Sequence, residues 1–146
     1  MQRSATTPDE FLASLPGDQQ PDMAELDARI TPLMEGHERV LWEGKFWGGT
    51  EQRIIGYGSY HYVGRSGAEG DWFIVGLARQ KGHISLYVNA SEDGAYLVKR
   101  FADRLGKVKA SSANVTFRRL SDVELPALLE MVARARELMT TDGATS

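Results

Sequence analysis

The chain has 146 residues, 42% hydrophobic and 25% charged, with 15 glycines, no cysteine and a formal net charge of -3. That length suits one domain with its own core, and the missing cysteine excludes disulfides, thiolate metal sites, iron–sulfur clusters and cysteine nucleophiles. No apolar stretch approaches the roughly 18 residues that cross a bilayer, and the opening MQRSATTPDE lacks a signal peptide's apolar core, so a cytoplasmic globular domain is expected. Charge is unevenly spread. Residues 1–38 carry eight acidic side chains against Arg3 and Arg29, whereas residues 99–119 carry seven basic ones against Asp103. The mildly acidic balance argues against a dedicated nucleic-acid binder.

Residues 1–8 are expected to be a flexible tail. The spacing of Phe11, Leu12 and Leu15 predicts a short helix over Asp9 to Leu15, started by Thr7 or Pro8 and stopped at Pro16-Gly17. Met23, Leu26, Ile30, Leu33 and Met34 recur at three- and four-residue steps and predict a second helix from Pro21. Pro32 predicts a kink or break near Thr31, with the helix ending at Gly36. From Arg39 the pattern turns to short aromatic and β-branched segments bounded by glycines. Val40–Trp42, Gln52–Tyr57, Ser59–Val63, Trp72–Ala78 and Ile84–Val88 read as strands. They lie too close together for crossover helices, so the sheet should be mainly antiparallel.

Ser91 is the expected cap of a helix over Asp93 to Leu105, with Tyr96, Leu97, Phe101 and Leu105 on its inward face. Val115–Phe117 reads as one more strand, and Glu124–Met139 as a closing helix with Pro126 in its first turn. Together these elements predict a two-layer α+β domain over residues 9–139, with a mainly antiparallel sheet of five or six strands. N-terminal helices precede the sheet, helix–strand–helix follows it, and residues 140–146 form a second flexible tail.

No stretch matches a phosphate-binding loop or the dinucleotide fingerprint. Gly56-Tyr57-Gly58 and Gly64-Arg65-Ser66-Gly67 lie among strands, where glycine marks bulges and turns. His37, His61 and His83 share no metal-ligand spacing, and no serine elbow exists. Two constellations remain. Asp18, Asp22 and Glu25 follow four- and three-residue steps, with Asp27 at the flank; as a cluster they would hold a hard cation such as ferrous iron, and singly they form a solvated helix face. Trp42, Lys45, Trp47, Tyr57, Tyr60, Tyr62, Arg79, Lys81 and Tyr87 come from the strand region and would line a small-molecule pocket or anion site if they shared a face. Ordinary half-buried packing explains the same alternation. The basic run Lys99 to Arg119 would add phosphate contacts or simply solvate the surface.

Several ordered blocks resemble one known family: LWEGKFWGG (41–49), IIGYGSYHY (54–62), GDWFIVGLARQKGHISLYV (70–88) and RLGKVKASSANVTFRRLSDVEL (104–125), with the closing helix. They are similar to the YdhG-like family of unknown function, from about Phe11 to Leu138. The resemblance implies an α+β domain with a sheet under flanking helices. One branch of that family resembles frataxin-like iron chaperones, and residues 18–27 would then be the iron-binding feature.

No catalytic constellation assembles from these residues. The favoured expectation is a non-catalytic binding or chaperone-like domain with a small-molecule or protein-partner surface on the sheet. A ferrous iron chaperone using Asp18, Asp22, Glu25 and Asp27 is the first alternative. The second is an enzyme holding an anionic metabolite through Lys45, Arg79 and Lys81. A self-complementary apolar surface would make the chain a homodimer.

Overall fold

The computed structural model describes residues 2–45, 51–63, 67 and 69–145, with the side chains of 62, 63, 69 and 140–145 outside that description. Helix α1 (Pro8–Ser14) starts at Thr7. The Thr7 hydroxyl accepts from the Glu10 N–H at 3.1 Å, and the Glu10 carboxylate accepts from the Thr7 N–H at 3.0 Å. This reciprocal pair satisfies two donors that a helix start leaves open, and it holds the Glu10 pKa below its ordinary value. Helix α2 (Gln19–Leu33) buries Met23, Leu26 and Ile30 completely. It does not break near Thr31. Pro32 sits in the last turn, where its missing N–H removes one bond to Ala28 and leaves the earlier ladder intact. The helix ends at Leu33, before the expected stop at Gly36.

Among the described residues the sheet is wholly antiparallel and has seven strands, where about five or six were expected, in the order β1-β2-β3-β4-β5-β9-β8. Strand β1 (Gln2–Arg3) pairs with Glu43 and Trp42 of β2 (Arg39–Lys45), so the first residues are an edge strand and not a frayed tail. Strand β3 (Glu51–Val63) runs through Gly58 where two separate strands were expected. Its register against β4 (Glu69–Gln80) is unchanged from Ile54↔Ala78 to Tyr60↔Trp72. Gly58 therefore terminates nothing. Its φ of 75° turns the backbone locally, and a Cβ there would lie 2.9 Å from Ile74 Cδ1. Opposite it the side-chain alternation of β4 breaks: Ile74 and Val75 both enter the helix-side core, while Phe73 goes to the other face.

Strand β5 (His83–Val88) follows as expected. The next segment is the main departure. Ser91 caps no helix: β6 (Ser91–Glu92) and β7 (Ala95–Tyr96) form a hairpin around Asp93 and Gly94, whose φ values are 53° and 84°. Two consecutive residues at positive φ make the tight turn that Asp-Gly favours. Only then does α3 (Leu97–Phe101) begin, continuing as a 3-10 turn over Ala102–Arg104. Tyr96, expected on an inward face, is instead exposed. Strands β8 (Lys109–Ala110) and β9 (Asn114–Phe117) close the far edge. Helix α4 (Leu125–Thr145) packs on α2 and β4, with Leu128, Met131, Val132 and Ala135 buried, and runs past Met139 into the residues expected as a tail.

Helices α1, α2, α3 and α4 join one core with the helix-side residues of the sheet, including Leu41, Ile55, Leu77 and Leu86. Burying side chains of that size contributes about 1.5–3 kcal/mol each relative to leaving them exposed. The opposite sheet face carries a second, smaller cluster of Trp42, Ile54, Phe73, Ala78 and Tyr87. The result is a mixed α+β fold with helices on one face of an antiparallel sheet. Among the described residues no helix is long and apolar enough to cross a membrane.

Candidate functional site

The aromatic and basic residues singled out from the sequence do not share one surface. Trp42 and Tyr87 belong to the cluster away from the helices. There the Trp42 ring stands 6.4 Å from Phe73 and 5.6 Å from Trp72, with the Arg3 guanidinium 4.6 Å from its centroid. Two glycines make room for these rings: a Cβ on Gly56 would lie 2.5 Å from Trp42 Nε1, and one on Gly76 would lie 2.5 Å from Phe73 Cε1. The indole N–H of Trp42 is buried and has no hydrogen-bond partner among the described residues. Next to this cluster Gln80 donates to Gln52 and to the Tyr87 hydroxyl, both at 3.2 Å, and accepts from Ser85.

Tyr57 and Tyr60 lie on the helix side instead. The Tyr57 hydroxyl donates to Asp27 Oδ1 at 2.6 Å, and Arg39 donates to both oxygens of the same carboxylate at 3.0 and 2.6 Å. Arg39 also reaches Asp9 at 2.9 Å. Burial works against the Arg39 charge, but the bonds to Asp27 and Asp9 outweigh it and raise its pKa above the usual arginine range. Burial pushes the Tyr57 hydroxyl well up, and the neighbouring Asp27 charge adds to that. This network ties α1, α2, β2 and β3 together. The side chain of Tyr62 and the whole of Trp47 lie outside the described residues.

The acidic residues of α2 are parcelled out among arginines. Asp27 is buried with Arg39, and Glu25 accepts from Arg29 at 2.8 Å. Asp22 accepts from Arg119 Nε at 2.9 Å and from the Leu120 N–H at 3.0 Å. Asp18 stands at the helix start without capping it. Among the described residues no three His, Asp or Glu side chains gather to hold a metal ion.

Lys45, Arg79 and Lys81 all sit at one end of the sheet, where Lys45 opposes Glu51 and Gln80 reaches Gln52. Arg79 donates to Gln19 Oε1 at 2.5 Å, while Lys45 and Lys81 are exposed. Gln19 also donates to the Gln80 and His83 carbonyls, both at 3.1 Å, which fastens the β4–β5 turn to α2.

Beside that fastening lies an open groove of about 500 Å³, lined by Asp18, Gln19, Gly82, Arg118, Arg119 and Asp122. It brings together three segments: the start of α2, the β4–β5 turn and the connection from β9 to α4. Arg118 has no ion pair or hydrogen bond among the described residues, and Arg119 commits only its Nε to Asp22. Asp22, then Asp18 and Asp122, raise the Arg119 pKa. Of these lining residues, Asp18 and the Arg118-Arg119 pair were visible in the sequence as members of an acidic and a basic run. Gln19, Gly82 and Asp122 carried no such signal.

No family model, curated protein or solved structure matches the chain.

Proposed function

We propose that the chain is a non-catalytic binding domain that takes a small charged molecule in the groove beside Gln19. The observation that carries this reading is the groove itself: about 500 Å³ of open space edged by Arg118 and Arg119, whose donors are mostly uncommitted. Its size falls within the roughly 300–1,000 Å³ of ordinary ligand sites. Its lining offers charge and hydrogen-bonding groups for recognition: two guanidiniums, two carboxylates, an amide and a glycine. The walls are pre-fastened, by Gln19 to the β4–β5 turn and by Asp22 to Arg119 and Leu120. A site held open in this way loses little conformational entropy when a ligand arrives.

The test is a thermal-shift panel of phosphorylated, carboxylated and amino-bearing metabolites, run with the wild type and with Arg118→Glu. A ligand at a hundred times its dissociation constant should add about 2.7 kcal/mol of stability. The expected result is stabilisation by one chemical class, lost in Arg118→Glu. Stabilisation that survives Arg118→Glu and Asp122→Asn would move the site elsewhere. An anaerobic arm with ferrous iron belongs in the panel, because a shift with iron alone, lost in Asp18→Asn, would favour iron handling. If nothing shifts, the small-molecule reading fails and a protein partner takes its place.

A further inference from the structure

Resting on the groove as the binding site, we propose that its ligand is a zwitterion carrying a free ammonium and a free carboxylate, as an α-amino acid or a dipeptide does. Charges of both signs line one space, and they are not spent on each other. Arg118 pairs with no described side chain, and the Arg119 Nη groups donate to none. Asp18 makes no capping bond, and among the described residues no side chain donates to its carboxylate or to that of Asp122. The Arg119 charge is already balanced by Asp22 at 2.9 Å. Asp18 and Asp122 are nevertheless close enough to act on it.

Three kinds of ligand fare differently here. A simple anion would gain Arg118 and the Nη groups of Arg119 but face the carboxylates of Asp18 and Asp122. A simple cation would gain those carboxylates but face the Arg118 guanidinium, Arg119 being balanced by Asp22. Like-charge juxtaposition is what binding sites use to reject a partner. A molecule bearing both charges meets complementary groups at each end. The planar guanidinium fork matches a carboxylate with paired N–H donors. An ammonium offers three donors to acceptor-only carboxylates. Gly82, a lining residue where an added Cβ would meet nothing within 4 Å, adds no bulk to the groove.

The experiment is an amide-resolved NMR titration of the full chain with L-alanyl-L-alanine, its N-acetyl derivative, its C-terminal amide and inorganic phosphate. The dipeptide should move the signals of Gly82 and of Arg118–Asp122 in a saturable way. Removing either ligand charge should weaken binding roughly tenfold or more, as expected for a lost charge-assisted hydrogen bond. Arg118→Glu should abolish dipeptide binding, and Asp18→Asn combined with Asp122→Asn should erase the preference for the free ammonium. Arg118 and Asp18 are exposed and Asp122 is half-buried, and circular dichroism checks that the fold is kept. Equal binding of the N-acetyl derivative or of phosphate would overturn the zwitterion while leaving an anion-binding groove. No groove signal moving with the dipeptide or its two derivatives would also overturn it. The wider panel, with its Arg118-dependent shift, then decides separately whether the groove binds anything.

Discussion

Replacing Asp27 by alanine should be among the most damaging single changes on the helix side of the sheet. Its carboxylate accepts three short bonds, from Arg39 at 3.0 and 2.6 Å and from the Tyr57 hydroxyl at 2.6 Å. Tyr57 is 1% exposed and Asp27 is 8% exposed, so water cannot take over the bond that Tyr57 loses. Leaving one buried hydroxyl unsatisfied costs about 1–3 kcal/mol. Breaking a fully buried ion pair costs about 3–5 kcal/mol. The Arg39 side chain is 23% exposed and keeps Asp9 at 2.9 Å, so the lower end of that range applies. A total destabilisation of about 4 kcal/mol or more follows from these two contributions. The assay is urea unfolding followed by far-UV circular dichroism at pH 7, with the Asp27→Ala, Tyr57→Phe and double variants compared as a cycle. Tyr57→Phe alone should cost about 1 kcal/mol, since Asp27 still holds Arg39. The two changes should couple by at least about 1 kcal/mol, because they remove the same bond. A loss below about 1 kcal/mol for Asp27→Ala, or additive effects, would refute the reasoning.

Three further expectations concern the sheet and its pH dependence. Trp42→Phe removes a buried N–H that has no partner while shortening a packed ring; the two effects oppose, so unfolding stability should change by less than about 1 kcal/mol, against about 3–5 kcal/mol for Trp42→Ala. Equal losses for both would show that the orphaned donor carries no penalty. Gly76→Ala places a methyl 2.5 Å from the Phe73 ring, which is fully buried and cannot swing outward; overpacking of this kind should cost about 1–3 kcal/mol by the same urea assay. Tyr57 has a folded-state pKa raised well above the ordinary 10.0. Its contribution is therefore complete below pH 10 and lost above it, as the unfolded chain ionises and the folded one does not. The alkaline fall in stability should accordingly be shallower in Tyr57→Phe than in the wild type, and parallel slopes would contradict that sign.

The parts of the fold that the sequence announced are those governed by local pattern. Apolar runs such as Ile84–Val88 and Val115–Phe117, and the three- and four-residue steps of Met23, Leu26 and Ile30, describe elements whose burial follows from spacing alone. Misreadings arose where two local signals competed. Tyr96, Leu97, Phe101 and Leu105 share helical spacing, which hid the Asp93-Gly94 turn; the turn prevailed because both residues adopt positive φ at little cost. Gly58 looked like a strand end because its consequence, two adjacent residues of β4 facing the same core, lies on another strand. The candidate site was less legible still. Asp22 and Glu25 project from one helix as the spacing says, but Asp22 is claimed by Arg119, 97 residues away, and no helical periodicity encodes that. Arg118 and Arg119 were visible only as charge. Their meaning depends on the turn at Gly82 and the start of α2 meeting the same space.

The strand order also has a consequence for how the chain is made. From β1 to β5 each strand lies beside the one that precedes it in the chain, so a nascent polypeptide can extend its sheet in the order in which it is synthesised. The last major layer, α4, starts only at Leu125, yet it covers part of α2 and β4. Until it emerges, a stretch of apolar sheet and helix surface stands bare to solvent. Ribosome-stalled chains ending before Leu125 should therefore bind hydrophobic dyes, and chains long enough to release α4 should shed them.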